Sequence, residues 1–383
     1  MVDVLEFKKK GITKQEVVLT NKHIGSKKTF LLRPFAPGDE EGIISCVKEE
    51  HQDSYFKTFF YDPALLKEKA EGKEYIFFVA EVIATDETTT EEQEAFWQQK
   101  NKIAGIEILR IFGTNGDDYI EPASQMIRKE NRGFRLSEAL VDYTFAVAKA
   151  LKPASLFVHT AMYHNITQRV CESYGMVPVG YEIGSFLTEV MENSFSLKDI
   201  KKYSAGTLCY PVEKRTVADI YLPKELHSYG ELIYKNLGVS CKILGETDAS
   251  VGAKQPETSR VIVSKENLVN RYITIDVRNA GDDLYQIIEN EMAPYVGKDG
   301  SNPKGWVFHL ILNADTFDLI THYKRLKEMG FFFGSMQPLC GDHERVFLYW
   351  VGNLDLHMEV YEVTEAFDGI RSHIIKFYKD RTI

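Results

Sequence analysis

The sequence predicts an α/β (α+β) chain: a mixed central sheet flanked by helices, occurring twice. Three observations carry that expectation. Between residues 119 and 183 an apolar segment, a basic glycine-bearing turn and a helical pattern are followed by two more apolar segments with a short helix between them. A similar order of strand, turn, helix, glycine and strand returns at residues 307–339, where Met329-Gly330-Phe331 matches Tyr174-Gly175-Met176; an internal duplication is the economical explanation. Finally, 383 residues exceed one ordinary core and suggest two or three domains.

Composition narrows the partners. Acidic residues outnumber basic ones, 56 to 46, giving a net charge of -10. Nothing in that balance attracts nucleic acid or an anionic membrane, and it weakly favours a cationic amine. Cys46, Cys171, Cys209, Cys241 and Cys340 are dispersed and odd in number, as expected in a reducing compartment. The start, Met1-Val2-Asp3-Val4, has no apolar run of signal-peptide length. No later stretch reaches the roughly 20 apolar residues of a membrane span. The expectation is a cytoplasmic protein with no membrane partner. His159 and His164, five apart across a strand end, are poorly spaced for a helical metal pair, so no metal is expected. Residues 245–254 lack the Gly-x-x-x-x-Gly-Lys-Ser/Thr spacing of a nucleotide loop.

In chain order, residues up to 28 are polar and basic and read as an edge strand or arm. Residues 29–33 form a strand, and a Pro/Gly turn leads to a helix over 40–49. The aromatic run at 55–63 reads as core packing beneath a helix at 64–70. Strands at 75–82 and 103–111 flank a polar insert, 85–102, with some helix near 91–99. Tyr119–Ile127 is the next strand. Ala139, Leu140, Tyr143, Thr144 and Val147 recur at three- and four-residue spacing on one helical face, and Lys152-Pro153 ends that helix. Residues 156–159 form a buried strand, 166–174 a helix stopped by Gly175, and 177–183 a third strand. Residues 185–192 and 197–199 precede a strand near 204–212, and a linker is expected over 211–223. A helix at 224–237, strands at 271–277, 306–312 and 331–335, and helices reaching 292 and spanning 316–329 complete the second half.

The chemistry starts at Gly133. A helix's first turn leaves amide N–H groups without intrahelical partners, aligned with the positive end of the peptide dipole, and a diphosphate fits there. Gly133 lets the backbone approach an anion closely. Arg128, Lys129, Arg132 and Arg135 add positive charge. A solvated basic turn is the plainer alternative.

Residues 119–183 resemble the core of the GNAT superfamily of acyl-CoA-dependent N-acyltransferases. There a strand enters a loop of the form Gln/Arg, two residues, Gly, one residue, Gly/Ala, whose amides hold the coenzyme A pyrophosphate. Arg132-Gly133 matches the middle of it; Glu130 and Arg135 depart from its ends. His159-Thr160-Ala161-Met162-Tyr163-His164-Asn165, Thr167-Gln168-Arg169-Val170 and Tyr174-Gly175-Met176 are similar to the family's downstream strand, turn and helix. The resemblance covers roughly the first half of the chain. It implies a GNAT fold, duplicated: residues 1–212 with a coenzyme A site and 213–383 GNAT-like without a pyrophosphate loop, since Asp282 and Asp283 would occupy the corresponding N–H groups.

The resemblance further implies acetyl-CoA as cosubstrate. It would be held at the backbone of Met126 and Ile127, by Arg128, Arg132, Gly133, Phe134, Arg135, Leu136 and Ser137, and by Asn165. The implied reaction is direct transfer of the acetyl group to a primary amine. An N–H near Met126 or Ile127 would stabilise the carbonyl oxygen. Glu121 is the first candidate base, Glu107 the second. The usual thiolate-protonating Tyr falls near Cys171 or Glu172, leaving Tyr163, His164 or Tyr174 as substitutes. The aromatic run would then line the acceptor site, with His51 nearby. A non-catalytic acyl-CoA sensor is the alternative. The acceptor, a small-molecule or peptide amine, is open, as is the oligomeric state, a homodimer included.

Overall fold

The stretch up to residue 28, expected as an edge strand or arm, holds an edge strand at Gln15–Thr20 preceded by a helix. In the computed structural model, which describes residues 1–87, 90–99, 102–113, 117–191, 200–213, 217, 219–246, 256–297 and 300–381, α1 (Val4–Lys10) is capped by Asp3, whose side chain accepts from the Glu6 amide. The Lys8 ammonium donates to the carbonyls of Ala70 at 2.7 Å and Tyr75 at 2.6 Å, and burial lowers its pKa to about 8. Those long-range bonds hold seven residues in a helix that is too short to persist alone.

The chain forms two compact units, Met1–Leu156 and Phe157–Ile383. The expected boundary between residues 212 and 213 falls inside the second of them. In the first unit, β1 (Gln15–Thr20) and β2 (Lys27–Pro34) pair antiparallel from Gln15↔Leu32 to Thr20↔Lys27. Then come α2 (Glu40–His51), α3 (Pro63–Glu71), β3 (Tyr75–Thr85), α4 (Glu91–Gln99), β4 (Ile103–Phe112), β5 (Tyr119–Ile127) and α5 (Leu136–Ala150). β6 (Ser155–Thr160) crosses from one unit to the next.

β1 to β5 run antiparallel in chain order. Period-two alternation sends Phe77, Val79, Ile106 and Ile108 to one face, where α2 and α3 pack Ile43, Val47 and Leu66 against them with Phe59 and Phe60. The aromatic run was expected as core, and its centre is core. Phe78 faces the other way and meets Tyr143 of α5 edge to face at 5.5 Å. The helix start at α3 follows from Asp62, which caps Ala64 and Leu65, and Pro63 in the first turn.

In the second unit come α6 (Ile166–Ser173), β7 (Val177–Leu187), β8 (Lys202–Pro211), β9 (Ile220–Tyr221), α7 (His227–Leu237) and β10 (Ile243–Leu244). They are followed by β11 (Arg260–Ser264), β12 (Tyr272–Asn279), α8 (Leu284–Met292), β13 (Val307–Asn313), α9 (Asp318–Glu328), β14 (Phe332–Cys340), β15 (His343–Trp350) and α10 (Glu365–Lys379). Its sheet runs β6-β8-β7-β14-β15-β13-β12-β11. β15 and α10 were not anticipated. α10 is fixed at its start by Thr364, whose side chain accepts from the Phe367 amide. The expected segment 197–199 and the rejected loop at 247–254 lie outside the described residues, as do residues 214–216 and 218 of the expected linker. Among the described residues no helix is long and apolar enough to cross a membrane.

Candidate functional site

The strand order leaves one edge open within the first unit. β5 is parallel to β6 over Tyr119↔Ser155 and Ile120↔Leu156 only, so from residue 121 onward its ladder to β6 ends. On its other edge β5 pairs with β4, with a register shift between Ile106 and Ile108. Ile106 faces Met126 and Ile108 faces Ala123, so Ser124 and Gln125 stand opposite the single residue Glu107. That is a β-bulge. Ser124 adopts φ +55°, a left-handed conformation uncommon for serine.

Both bulge residues are gripped. On the face carrying α2, the Tyr55 hydroxyl donates to Ser124 Oγ at 2.7 Å and the Lys57 ammonium donates to it at 3.1 Å. Burial pushes the Tyr55 phenol up; the Ser124 bond opposes this and the negative charge of Glu121 adds to it. Glu121 therefore lies within electrostatic reach of the aromatic wall, and His51 stacks on Tyr55 with ring centres 4.6 Å apart. Toward α5, the Gln125 amide donates to Glu107 Oε2 at 3.2 Å and to the Ser137 carbonyl at 3.1 Å. Glu107 is 3% exposed. Burial raises its carboxyl to a pKa of about 8, against hydrogen bonds with Thr144 and Gln125. Nothing in the local sequence signals the bulge, because a serine with positive φ is set by tertiary contacts.

After β5 the chain turns through Lys129–Asn131 into Gly133, which has φ +87°. A Cβ there would meet the Asn21 side chain and His23 Cδ2 at 3.2 Å. The β1–β2 turn thus fits against the glycine, and Lys22 donates its amide to the Gly133 carbonyl at 3.1 Å. Lys28, almost buried, reaches the Glu130 carbonyl at 3.3 Å and Asn131 Oδ1 at 3.2 Å. Arg135 precedes α5 in the left-handed region, and no side chain caps the helix.

The basic residues of the turn are individually committed. Arg128 is 2% exposed and donates to Glu49, the Ile103 carbonyl and the Gly42 carbonyl; it braces the turn from inside. Arg132 pairs with Glu50 at 2.5 Å, and Arg135 points outward onto Glu138. The expectation that all three guanidiniums supply an anion site meets this arrangement: each already has a carboxylate. What the turn offers an anion is backbone, the uncapped first-turn amides of α5 around Leu136 and Ser137 behind Gly133.

Tyr163, His164 and Asn165 lie in the second unit, after β6. Tyr163 is half-buried, edge-on to His164 at 4.7 Å and to Tyr203 at 6.1 Å. Burial lowers the His164 pKa. Asn165 stands at the N-terminus of α6 without a side-chain capping bond. Sequence reasoning passed over Gln168, which holds this turn: its amide donates to the carbonyls of Ala161 at 2.9 Å, His164 at 3.3 Å and Glu362 at 3.1 Å, and its oxygen accepts from the Thr364 amide at 3.0 Å. Cys171 is buried and Glu172, half-buried, accepts from the Thr364 hydroxyl. Among the described residues no group of three or more His, Cys, Asp or Glu could hold a metal.

No protein-family model matches the sequence and no curated protein matches it. Solved structures of GNAT-family N-acetyltransferases are similar to about half of the chain. Ard1 from Thermoplasma volcanium is 13% identical, with 48% of this chain and 98% of that one covered at a TM-score of 0.34. The ribosomal-protein-S18-alanine N-acetyltransferase of Escherichia coli is 12% identical, with 49% and 96% covered at 0.34. The spermidine/spermine N-acetyltransferase SpeG of Vibrio cholerae is 16% identical, with 48% and 94% covered at 0.35. At these identities and scores the likenesses assign neither an activity nor an acceptor.

Proposed function

We propose that the protein is a GNAT-type N-acetyltransferase that moves an acetyl group from acetyl-CoA to a primary amine, with the donor site on β5, the Gly133 turn and α5. The observation that carries this reading is the conjunction of an open β5 edge with an uncapped helix N-terminus behind a glycine at φ +87°. An acyl-CoA needs both: strand amides for its pantetheine arm and helix amides for its diphosphate. Because the nearby arginines are already paired, backbone donors around Gly133, Phe134, Leu136 and Ser137 carry the anchoring, with Arg132 and Arg135 at the rim.

In the reaction the amine nitrogen attacks the thioester carbonyl carbon. The C–N bond forms as the C–S bond breaks, the amine loses a proton to a base, and the coenzyme A thiolate takes one up. Backbone N–H groups beside the bulge, at Met126 and Ile127, stabilise the oxygen as charge develops. Glu121 is the base, acting directly or through water from the face that carries Tyr55. The acceptor is a small-molecule or peptide amine. The GNAT-like order within residues 213–383, which shares the second unit with β7 and β8, does not hold coenzyme A.

Calorimetry with acetyl-CoA, followed by thiol release in the presence of an amine panel, tests this. Saturable binding and amine-dependent thiol release are expected, both weakened by Gly133→Ala with the fold retained by circular dichroism. No heat with acetyl-CoA or longer thioesters would overturn the proposal. Binding without release for every amine would instead make the protein an acyl-CoA sensor.

A further inference from the structure

Glu107 is a buried carboxyl with no catalytic reach: it faces α5, whereas the aromatic wall and Glu121 belong to the other face of the sheet. Among the described residues, the side chains that hydrogen-bond it are uncharged. Phe78 stands opposite it on β3, Gln125 lies beside it on β5, and Thr144 approaches from α5 with Tyr143, whose hydroxyl donates to the Thr13 carbonyl. A carboxyl kept in such a place has to serve its hydrogen-bond partners. Those partners are informative. Gln125 is half of the bulge, and the amide nitrogen that donates to Glu107 also donates to the carbonyl of Ser137 in the first turn of α5.

We infer that Glu107 is a positioning residue: through Gln125 it ties the β5 bulge to the first turn of α5, and so sets the two groups of backbone donors against each other. The role extends the acyl-transfer reading, on which its functional consequence rests. It also explains why Ser124 stays in an unfavourable conformation, since the bulge is clamped from one face by Tyr55 and Lys57 and from the other by Glu107. The arm at Glu107 is sensitive to protons. With a pKa of about 8 the carboxyl is neutral at neutral pH; once ionised it is a better acceptor for Gln125 and Thr144, but the cost of burying its charge draws water into the bulge and opens the strand amides beside it.

The experiment compares wild type with Glu107→Gln and Glu107→Ala in the full chain. Amide exchange protection at Gln125, Met126 and Ile127 is followed with acetyl-CoA affinity from roughly pH 6 to pH 9.5, a range that brackets the titration. In wild type, protection and affinity both fall about tenfold or more as Glu107 ionises. Glu107→Gln, which keeps the shape and cannot ionise, holds both constant; Glu107→Ala loses protection at these amides across the range. The inference is overturned if Glu107→Gln shows the same alkaline loss as wild type, or if bulge protection is indifferent to pH in both. If wild type binds no acetyl-CoA at any pH while bulge protection still follows Glu107, the positioning role stands and the acyl-transfer reading falls.

Discussion

Arg128 and Arg132, four residues apart, put the same side chain to different uses. The Arg128 side chain is 1% exposed and its partner Glu49 also accepts the Lys129 amide, whereas the Arg132–Glu50 pair is 49% and 36% exposed. Truncating a buried ion pair strands its partner, so Arg128→Ala is expected to cost about 3 kcal/mol in urea unfolding. Arg132→Ala is expected to change stability by less than about 0.5 kcal/mol, and a loss as large as that of Arg128→Ala would refute the assignment. Glu107 gives a pH-dependent prediction. Its folded pKa of about 8 lies above the ordinary glutamate value of 4.5, so between those values the folded state holds a proton that the unfolded chain has released. Its contribution is complete below the unfolded value and is lost as pH rises toward and through the folded one. Thermal melts of Glu107→Gln should therefore converge on wild type at acid pH and exceed it increasingly toward pH 8; parallel curves would sink the shift. Neither role was legible in the sequence. Arg128 looked like one more cation in a basic turn because Glu49 lies 79 positions away, and Glu107 looked like an ordinary strand carboxylate because burial depends on α5.

At the scale of elements, strand and helix periods told much. The order β5, α5, β6, α6, β7 was read from apolar spacing, the Gly133 turn and Gly175, and it was read again for β12, α8, β13, α9 and β14. What periodicity cannot carry is the register between two strands, and there the two sets part. β5 and β6 share two register pairs, while β12 and β13 share five, from Tyr272↔Val307 to Asp276↔Ile311. The turn into α8 is closed as well, by a different device from the expected one. Asp283 makes no capping bond to its own helix; it accepts from the Ser259 amide at 2.7 Å. The Gly281 amide donates to Ser259 Oγ at 2.8 Å, and the Asp282 amide to the Pro256 carbonyl at 3.2 Å. A Cβ on Gly281 would lie 2.6 Å from the Thr258 carbonyl carbon. Gly281→Ala is accordingly expected to destabilise the protein by about 1 to 3 kcal/mol and leave acetyl-CoA affinity unchanged. Gly133→Ala, next to side chains only but at φ +87°, should cost about 1 kcal/mol and weaken acetyl-CoA measurably. Equal effects of the two on affinity would remove the distinction between the turns.

For the whole molecule, the compact units and the boundary expected from the recurring element order cut the chain at different places. Cutting between 212 and 213 would separate β7 and β8 from strands they need: Gly180 of β7 pairs with Ser335 of β14, and the Thr207 hydroxyl lies 2.7 Å from that of Ser335. A Cβ on Gly180 would fall 2.4 Å from Ser335 Cα, so the two backbones are in direct contact. Gln168 of α6 likewise depends on Glu362 and Thr364 near the far end of the chain. A fragment ending at 212 would expose the long apolar edge of β7, a template for unwanted pairing. It is expected to aggregate although it contains every proposed donor-site residue; a soluble, cooperatively melting fragment 1–212 would show that the second unit is divisible after all. Stoichiometry follows from the same asymmetry. If one turn is open and the other is filled by its own chain, the intact protein binds one acetyl-CoA, so calorimetric titration should saturate at one per chain and Gly133→Ala should weaken that single event. A second equivalent site, insensitive to Gly133, would mean that the amides around Gly281 yield to a ligand and that the two turns are alike in function as well as in element order.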